Sequence, residues 1–323
     1  MKLFLINIKN LNNLILLCVT LPLVLFANSC DLPVEEKMPV DAPLREKFQW
    51  LQKNAASSTE YFIELKNNET LSPQVLAYHG RNNITIQLAG IGSERIILLS
   101  GYGSLFTIVG SVNLILDNNV TLQGHDNNNA PLVSIGNMST LTMNSGAKIT
   151  GNTANSNNGY GGGVFINSNG TFLMTGGIIS YNRIISESPE GGGVFVGPYG
   201  IFTMTGGVIT GNEVRGTSDC GGGGIFIYSN GIFTMTGGEI SSNKSSSNNQ
   251  YIYGGGVCAF GSLTKTGGII YGYTEGDNNS NIIMRNDNTV LNGRGHAVYH
   301  WNYTRDTTAY STDNMTLQQP PWA

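Results

Sequence analysis

Few side chains in this sequence could do chemistry, and their spacing decides what kind. Glu190 and Asp219 fall one sequence repeat apart. Paired carboxylates on adjacent turns are what hydrolysis of a glycosidic bond requires. Both residues sit in segments read as loops, however, and no acid recurs in register on neighbouring strand faces. No catalytic residue is therefore assigned. His296 and His300 suggest a metal, but on a strand they would stand about 13 Å apart, too far to share one ion. They read as satisfied histidines in a cap, and no metal site is expected. Glycine runs such as GYGGGV lack a following Lys-Ser/Thr and a helix start, so they are not phosphate loops. No cofactor is implied. Of the four cysteines, Cys18 falls in the expected export signal and Cys30 at its expected cleavage site, and the remaining two do not make a disulfide framework. Cys220 falls in an expected loop and Cys258 on an expected strand, so a bridge between them stays open.

The elements that would position these groups are written as a repeat. Residues 161–182 (GGGVFINSNGTFLMTGGIISYN), 191–212 (GGGVFVGPYGIFTMTGGVITGN) and 222–243 (GGGIFIYSNGIFTMTGGEISSN) are near copies, and 132–152 is a worn one. Val164, Val194, Ile225 and Val257 follow one another at 30, 31 and 32 residues. Parallel columns run through Phe172, Phe202, Phe233 and Leu263, through Met174, Met204 and Met235, and through Ile179, Ile209, Ile240 and Ile270. Asn152, Asn182, Asn212 and Asn243 close the unit. Self-similarity at this period marks a stacked-coil architecture. Paired glycines and short runs of strand formers exclude helical repeats. Each unit of about thirty residues is expected to supply three short strands, roughly GGVFI, TFLMT and GIIS. The fold class is all-β, a right-handed parallel β-helix with ladders of like residues about 4.8 Å apart. The Asn column suits an inward turn whose amides bond along the stack.

Alternation within each strand assigns the faces. The Ile166 column is always apolar and points inward. The Phe165 column reads Ser134, Phe165, Phe195, Phe226, Cys258 and points outward. An exposed aromatic stripe of Phe165, Phe195 and Phe226, ending in Tyr299, could stack on sugar rings or receive a protein. The alternative is that these rings stack on one another beneath the loops. The segments after each Asn, at 153–160, 183–190, 213–221 and 244–253, vary in length and charge and read as loops along one side of the stack. Arg183, Glu187, Glu190, Glu213, Arg215 and Asp219 would give them a mixed polar surface, or they are tolerated insertions.

The ends differ from the middle. Residues 1–29 carry Lys2 and Lys9 and an apolar run from Leu14 to Phe26, the pattern of an export signal rather than a spanning helix. Ala27-Asn28-Ser29-Cys30 resembles a bacterial lipobox, which implies cleavage before Cys30 and acylation of it. Ala-x-Ser also suits ordinary signal cleavage, which would leave a secreted chain with a free terminal Cys. Loss of Lys2 and Lys9 takes the formal charge from −4 to −6, with no basic stripe, so nucleic acid is not an expected partner. Residues 30–43 read as a tether. Residues 44–323 form a single β-helix domain: a capping helix at 44–56 with Leu44, Phe48 and Leu51 on one stripe, coils at 60–270, and an irregular last coil and cap at 271–323. Val298 rejoins the Val164 column after an excursion at 271–293. Lys265 replaces the methionine of its column, and order is expected to loosen there.

The GGGVFI…FTMTGGVITGN units are similar to those of bacterial surface lipoproteins with pectin-lyase-like β-helix repeats. The resemblance runs from about residue 44 to the end, including the non-repeating stretch LSPQVLAYHGRNNITIQLAGIGSERIILLSGYGSLFTI and the closing GHAVYHW. A fainter one, to bacterial polymorphic outer-membrane proteins, lacks their GGA-type and F-x-x-N repeats and their C-terminal barrel. What these resemblances imply is a lipid-anchored protein of the bacterial cell envelope, at the outer membrane or cell surface. It would be non-enzymatic, an adhesin or envelope-interaction protein, with glycans or host and envelope proteins as partners. A carbohydrate-active enzyme on the same scaffold is the alternative, and a purely structural or antigenic surface filler a third reading.

Overall fold

The computed structural model describes residues 37–155, 159–248, 251–285, 290–291, 295–300, 303–306 and 315–317. The expected export signal 1–29, the lipobox-like segment with Cys30 and the expected tether as far as residue 36 lie outside the described residues. Met38–Ala323 gather into one compact unit, separate from Met1–Lys37.

Within that unit the chain winds through about seven stacked turns in a parallel β-helix. Sheet A runs from Glu60–Leu65 to Ser262–Lys265, sheet B from Glu69–Leu71 to Ile269–Ile270, and sheet C from Gln74–Leu76 to Val298–His300, all parallel. The three expected strands of a repeat are Val164–Ile166 in sheet C, Thr171–Met174 in sheet A and Ile178–Ser180 in sheet B. Register follows the sequence columns: Val164 pairs with Val194, Phe172 with Phe202, Met174 with Met204 and Ile179 with Ile209. The lead-in from Glu60, which shows no repeat, forms the first turns with the same register; Leu141 pairs with Leu114 and Val133 with Phe106.

Inward residues of the three sheets make one continuous core. Phe172, Phe202 and Phe233 stack along it with centroids 4.7 and 4.8 Å apart and ring planes 4° and 18° apart. Such pairs contribute about 0.5–1.5 kcal/mol each beyond the burial of their area. Helix α1, Leu44–Asn54, buries Leu44, Phe48 and Leu51 over the first turn, and the Phe48 ring meets Phe106 edge-on at 5.7 Å. At the opposite end Tyr303–Arg305 and Met315–Leu317 pair antiparallel against the last strands of sheets C and A. Lys265 does not break the ladder. It pairs with Met235 in register, is fully buried and lies opposite Met315. The strands resume beyond it: Val298 pairs with Val257 as the column required.

The largest departure from the sequence reading is a fourth strand in five successive turns. The segments expected to be loops after each Asn begin with strands Thr153–Asn155, Arg183–Ile185, Glu213–Arg215, Lys244–Ser247 and, inside the expected excursion at 271–293, Ile282–Arg285. Together they form sheet D. Ala154, Ile184, Val214 and Ile283 point from it into a second small core with Cys220 and Ile252. Sheet D also accounts for the glycine triplets. At Gly191 the backbone has φ +73°, which only glycine adopts freely. A Cβ on Gly192 would lie 2.7 Å from the backbone carbon of Glu213, so the sheet D strand rests directly on that residue. A Cβ on Gly193 would strike the Asn212 amide, 3.1 Å away, and the Gly224 carbonyl.

That amide belongs to the ladder foreseen for the Asn column. Asn182 Nδ2 and its backbone N–H both donate to Oδ1 of Asn212, at 3.1 and 3.0 Å. Asn212 donates in the same way to Asn243, and Asn243 to Asn281. Each amide is fully buried and also bonds a carbonyl of its own or the previous turn, as Asn212 does Ile179 at 3.0 Å. Asn128 and Asn281 extend the column beyond the residues that the repeat identified. A buried donor left without an acceptor costs roughly 1–3 kcal/mol. Asn212→Ala should therefore lower stability in urea denaturation by about 2–4 kcal/mol, because it strands two donors of Asn182. The exposed Asn155→Ala should change it by less than about 0.5 kcal/mol.

Candidate functional site

The residues proposed as a binding surface divide into three environments. Phe165, Phe195 and Phe226 point outward from sheet C, as alternation required, and they belong to a cluster separate from the main core. They are not an exposed stripe. Phe195 and Phe226 are each 3% exposed, and Phe165 is half-buried. The cause is the polypeptide on either side of the sheet C strands, Tyr160 before them and Tyr228 and Phe260 just after, which folds over these rings. Tyr160 covers Phe195 at 4.8 Å and lies parallel to Phe165 at 6.5 Å; Tyr228 packs on Phe195 at 6.2 Å and Phe260 on Phe226 at 5.7 Å. The accessible aromatics are thus the covering tyrosines: Tyr160 and Tyr228 are 40% and 42% exposed. Their signal in the sequence is position: Tyr160 immediately precedes a glycine triplet, in the column that holds Glu190 and Gly221 one and two turns on.

Arg183 lies on the outer face of sheet D. Its Nε donates to Glu213 at 2.7 Å, and Lys244 approaches the other oxygen of Glu213 at 3.6 Å. Strand register places these three charges on successive turns, so they neutralise one another as a ladder. Arg215 is exposed at the far end of the same strand, and Asp219 is exposed in the segment that follows. The mixed polar surface exists, but its central acid is already engaged.

Glu190 behaves differently. Its backbone bridges Tyr160 and Gly221, and its Oε2 is sealed from water with no hydrogen-bond partner. Burial alone pushes its carboxyl up to about 8; Asp219 makes no contribution. At neutral pH Glu190 is therefore a protonated acid beneath a tyrosine, and it is not half of a carboxylate dyad, whose members would perturb each other.

The two thiols near it are free and buried. A Cβ placed on Gly221 would point at Cys258 Sγ, 3.1 Å away. Cys220, adjacent on the strand, therefore faces the opposite side, and its Sγ donates to the Ser246 carbonyl at 3.5 Å. The two thiols sit in different clusters and are not bridged. Burial raises the Cys220 thiol to about 12 and that of Cys258 far above its usual range, so neither is a nucleophile.

Elsewhere, a shallow cavity of about 430 Å³ lies on the outer face of sheet B. It holds Ile96 and Ile178, the exposed ring of Tyr181, and one acid, Glu94. A hydrogen bond from Thr121, then Lys148 at 3.0 Å, keeps that carboxylate below its ordinary range. A single paired carboxylate does not supply the acid and base of glycoside hydrolysis. His296 is fully buried; its Nδ1 accepts the Ile283 N–H at 3.0 Å, which fixes the neutral ring with its proton on Nε2. Among the described residues no three His, Cys, Asp or Glu side chains converge on a point that could hold a metal ion.

No protein-family model matches the chain, and no curated protein or solved structure does.

Glu190 gives the site a pH dependence. From about pH 4.5 to 8 the folded chain holds a proton that the unfolded chain has released, so stability falls as pH rises across that window and levels off above it. Glu190→Gln, which cannot ionise, should match wild type in denaturant titrations at pH 4.5. At pH 8.5 it should exceed wild type by roughly 2–4 kcal/mol.

Proposed function

We propose that the protein is a lipid-anchored β-helix of the bacterial cell envelope, tethered through Cys30 at the outer membrane or cell surface. Its role in this reading is non-enzymatic: it holds a patterned surface away from the membrane for adhesion to glycans or to host and envelope proteins. The observation that carries the reading is the division of labour within each turn. Sheets A, B and C repeat with fixed register, while sheet D and the segments around it differ from turn to turn in charge and length. Variable polar segments on a rigid frame are where recognition is commonly placed. The acids support a binding role over a catalytic one: Glu213 is neutralised by Arg183 and Lys244, Glu94 by Lys148, and Glu190 is held protonated. Tyr160 and Tyr228 supply exposed rings for stacking on a sugar or packing against a protein.

Mass spectrometry of the mature N-terminal peptide from the native membrane fraction tests the anchor. It should find Cys30 as the first residue, carrying a diacylglyceryl group and an N-acyl chain, and Cys30→Ser should release the protein to the soluble fraction. An unmodified Cys30 in a soluble chain would refute the anchor. For the surface role, binding on glycan and matrix-protein arrays should weaken roughly tenfold in Tyr160→Ala/Tyr228→Ala, the loss of about one stacking contact. Glycan depolymerisation, with or without calcium, that disappears in Glu190→Gln or Asp219→Asn would make the protein an enzyme instead.

A further inference from the structure

The outer face of sheet A, over its repeating turns, is both uncharged and open, whereas the uncharged outer face of sheet C lies beneath other rings. Sheet D carries the Arg183, Glu213 and Lys244 ladder, and sheet B carries Lys148 and Glu239. From Thr140 to Thr266, sheet A presents three outward columns across five strands without one charged side chain. The middle column is Thr142, Leu173, Thr203, Thr234 and Thr264. A second, at the strand ends, is Asn144, Thr175, Thr205, Thr236 and Thr266. The third contains Ile201 and Ile232, large apolar side chains that are 41% and 43% exposed. Threonine thus recurs as a Thr-x-Thr pair: 203 with 205, 234 with 236, 264 with 266. The hydroxyls of Thr203, Thr205, Thr234 and Thr236 make no hydrogen bond within the described protein, whereas Thr175 donates to Asn144.

The metric of this face can be read from its underside. Phe172, Phe202 and Phe233 lie on the same three strands and point inward. Their centroids repeat at 4.7 and 4.8 Å with ring planes turned by only 4° and 18°. Residues i and i+2 on one strand are about 6.6 Å apart. The hydroxyls and methyls therefore form a nearly flat grid of about 4.8 by 6.6 Å. Water joined tetrahedrally through O–H···O contacts of about 2.8 Å places second neighbours about 4.5 Å apart, and its layers repeat at about 7.4 Å. The two grids agree to about 6% in one direction and 11% in the other, within the reach of a rotating hydroxyl and a bridging water. Ice is also uncharged and regular, as this open face is. A charged side chain would instead hold its own mobile hydration shell.

We propose that the outer face of sheet A binds ice, its Thr-x-Thr rows ordering a first layer of water that merges with the crystal. The proposal goes beyond the adhesion reading and holds whether or not Cys30 carries lipid. The test is partition of the purified protein into a slowly growing ice hemisphere, together with inhibition of ice recrystallisation. Wild type should enter the ice and hold crystals small at micromolar concentration. Thr203→Lys/Thr234→Lys, with an unchanged circular dichroism spectrum and melting temperature, should need at least about tenfold more protein for the same inhibition. Thr210→Lys, on sheet B, should act as wild type. If the double variant fails to fold, Thr236→Arg at the exposed strand end takes its place with the same expectation. Wild-type protein excluded from ice like an inert globular protein overturns the proposal, as does a folded double variant that partitions unchanged.

Discussion

Everything in this fold depends on each turn accepting hydrogen bonds from the turn beside it in a fixed register. A coil of three-residue strands has little in any one strand to set that register, since three backbone pairs can slip. The buried Asn column removes the freedom. Its amide must reach an oxygen of the next Asn and a carbonyl one turn back at once, and only one alignment of adjacent turns satisfies both. With that alignment set, Phe falls on Phe, Met on Met and Ile on Ile, and the apolar columns join into one continuous core. The glycine triplets follow from the same constraint. The Asn amide and the sheet D strand both lie so close to the chain that a side chain has no room.

Much of this was legible because the constraint is periodic. Columns such as Val164, Val194, Ile225 and Val257 are visible as equal spacing, and the alternation of Phe165 between Val164 and Ile166 distinguishes the two faces correctly. What escaped notice does not repeat in letters. Sheet D is built from TAN, RII, EVR, KSSS and IIMR, which share one inward position and little else. Backbone pairing tolerates that variety, so the strand persists where its spelling does not. The same is true of the turns before residue 132, where Leu114 and Phe106 hold positions that Leu141 and Val133 hold later.

The candidate surface was only half legible for a related reason. Alternation tells which way Phe195 and Phe226 point, but not whether another segment lies on top of them. That depends on Tyr160 and Tyr228, whose covering role is set by chain path rather than by pattern. Glu190 is an extreme case. In sequence it is one of several charged loop residues; in the fold it is an enclosed and protonated acid beside two unreactive thiols. On the outer faces of sheets B and D, by contrast, Glu94 pairs with Lys148 and Glu213 with Arg183 and Lys244 between turns.

The two ends of the coil are closed by unlike devices, an amphipathic helix at one and reversed strands at the other, and neither end resembles the middle. Interior turns, by contrast, are interchangeable: each offers its neighbour the same upper and lower edge. Duplication or deletion of one whole genetic unit of about thirty codons would therefore lengthen or shorten the domain by one layer and leave both terminators in place. The length of the stack can thus change in single steps of one turn while the devices that close its two ends stay the same.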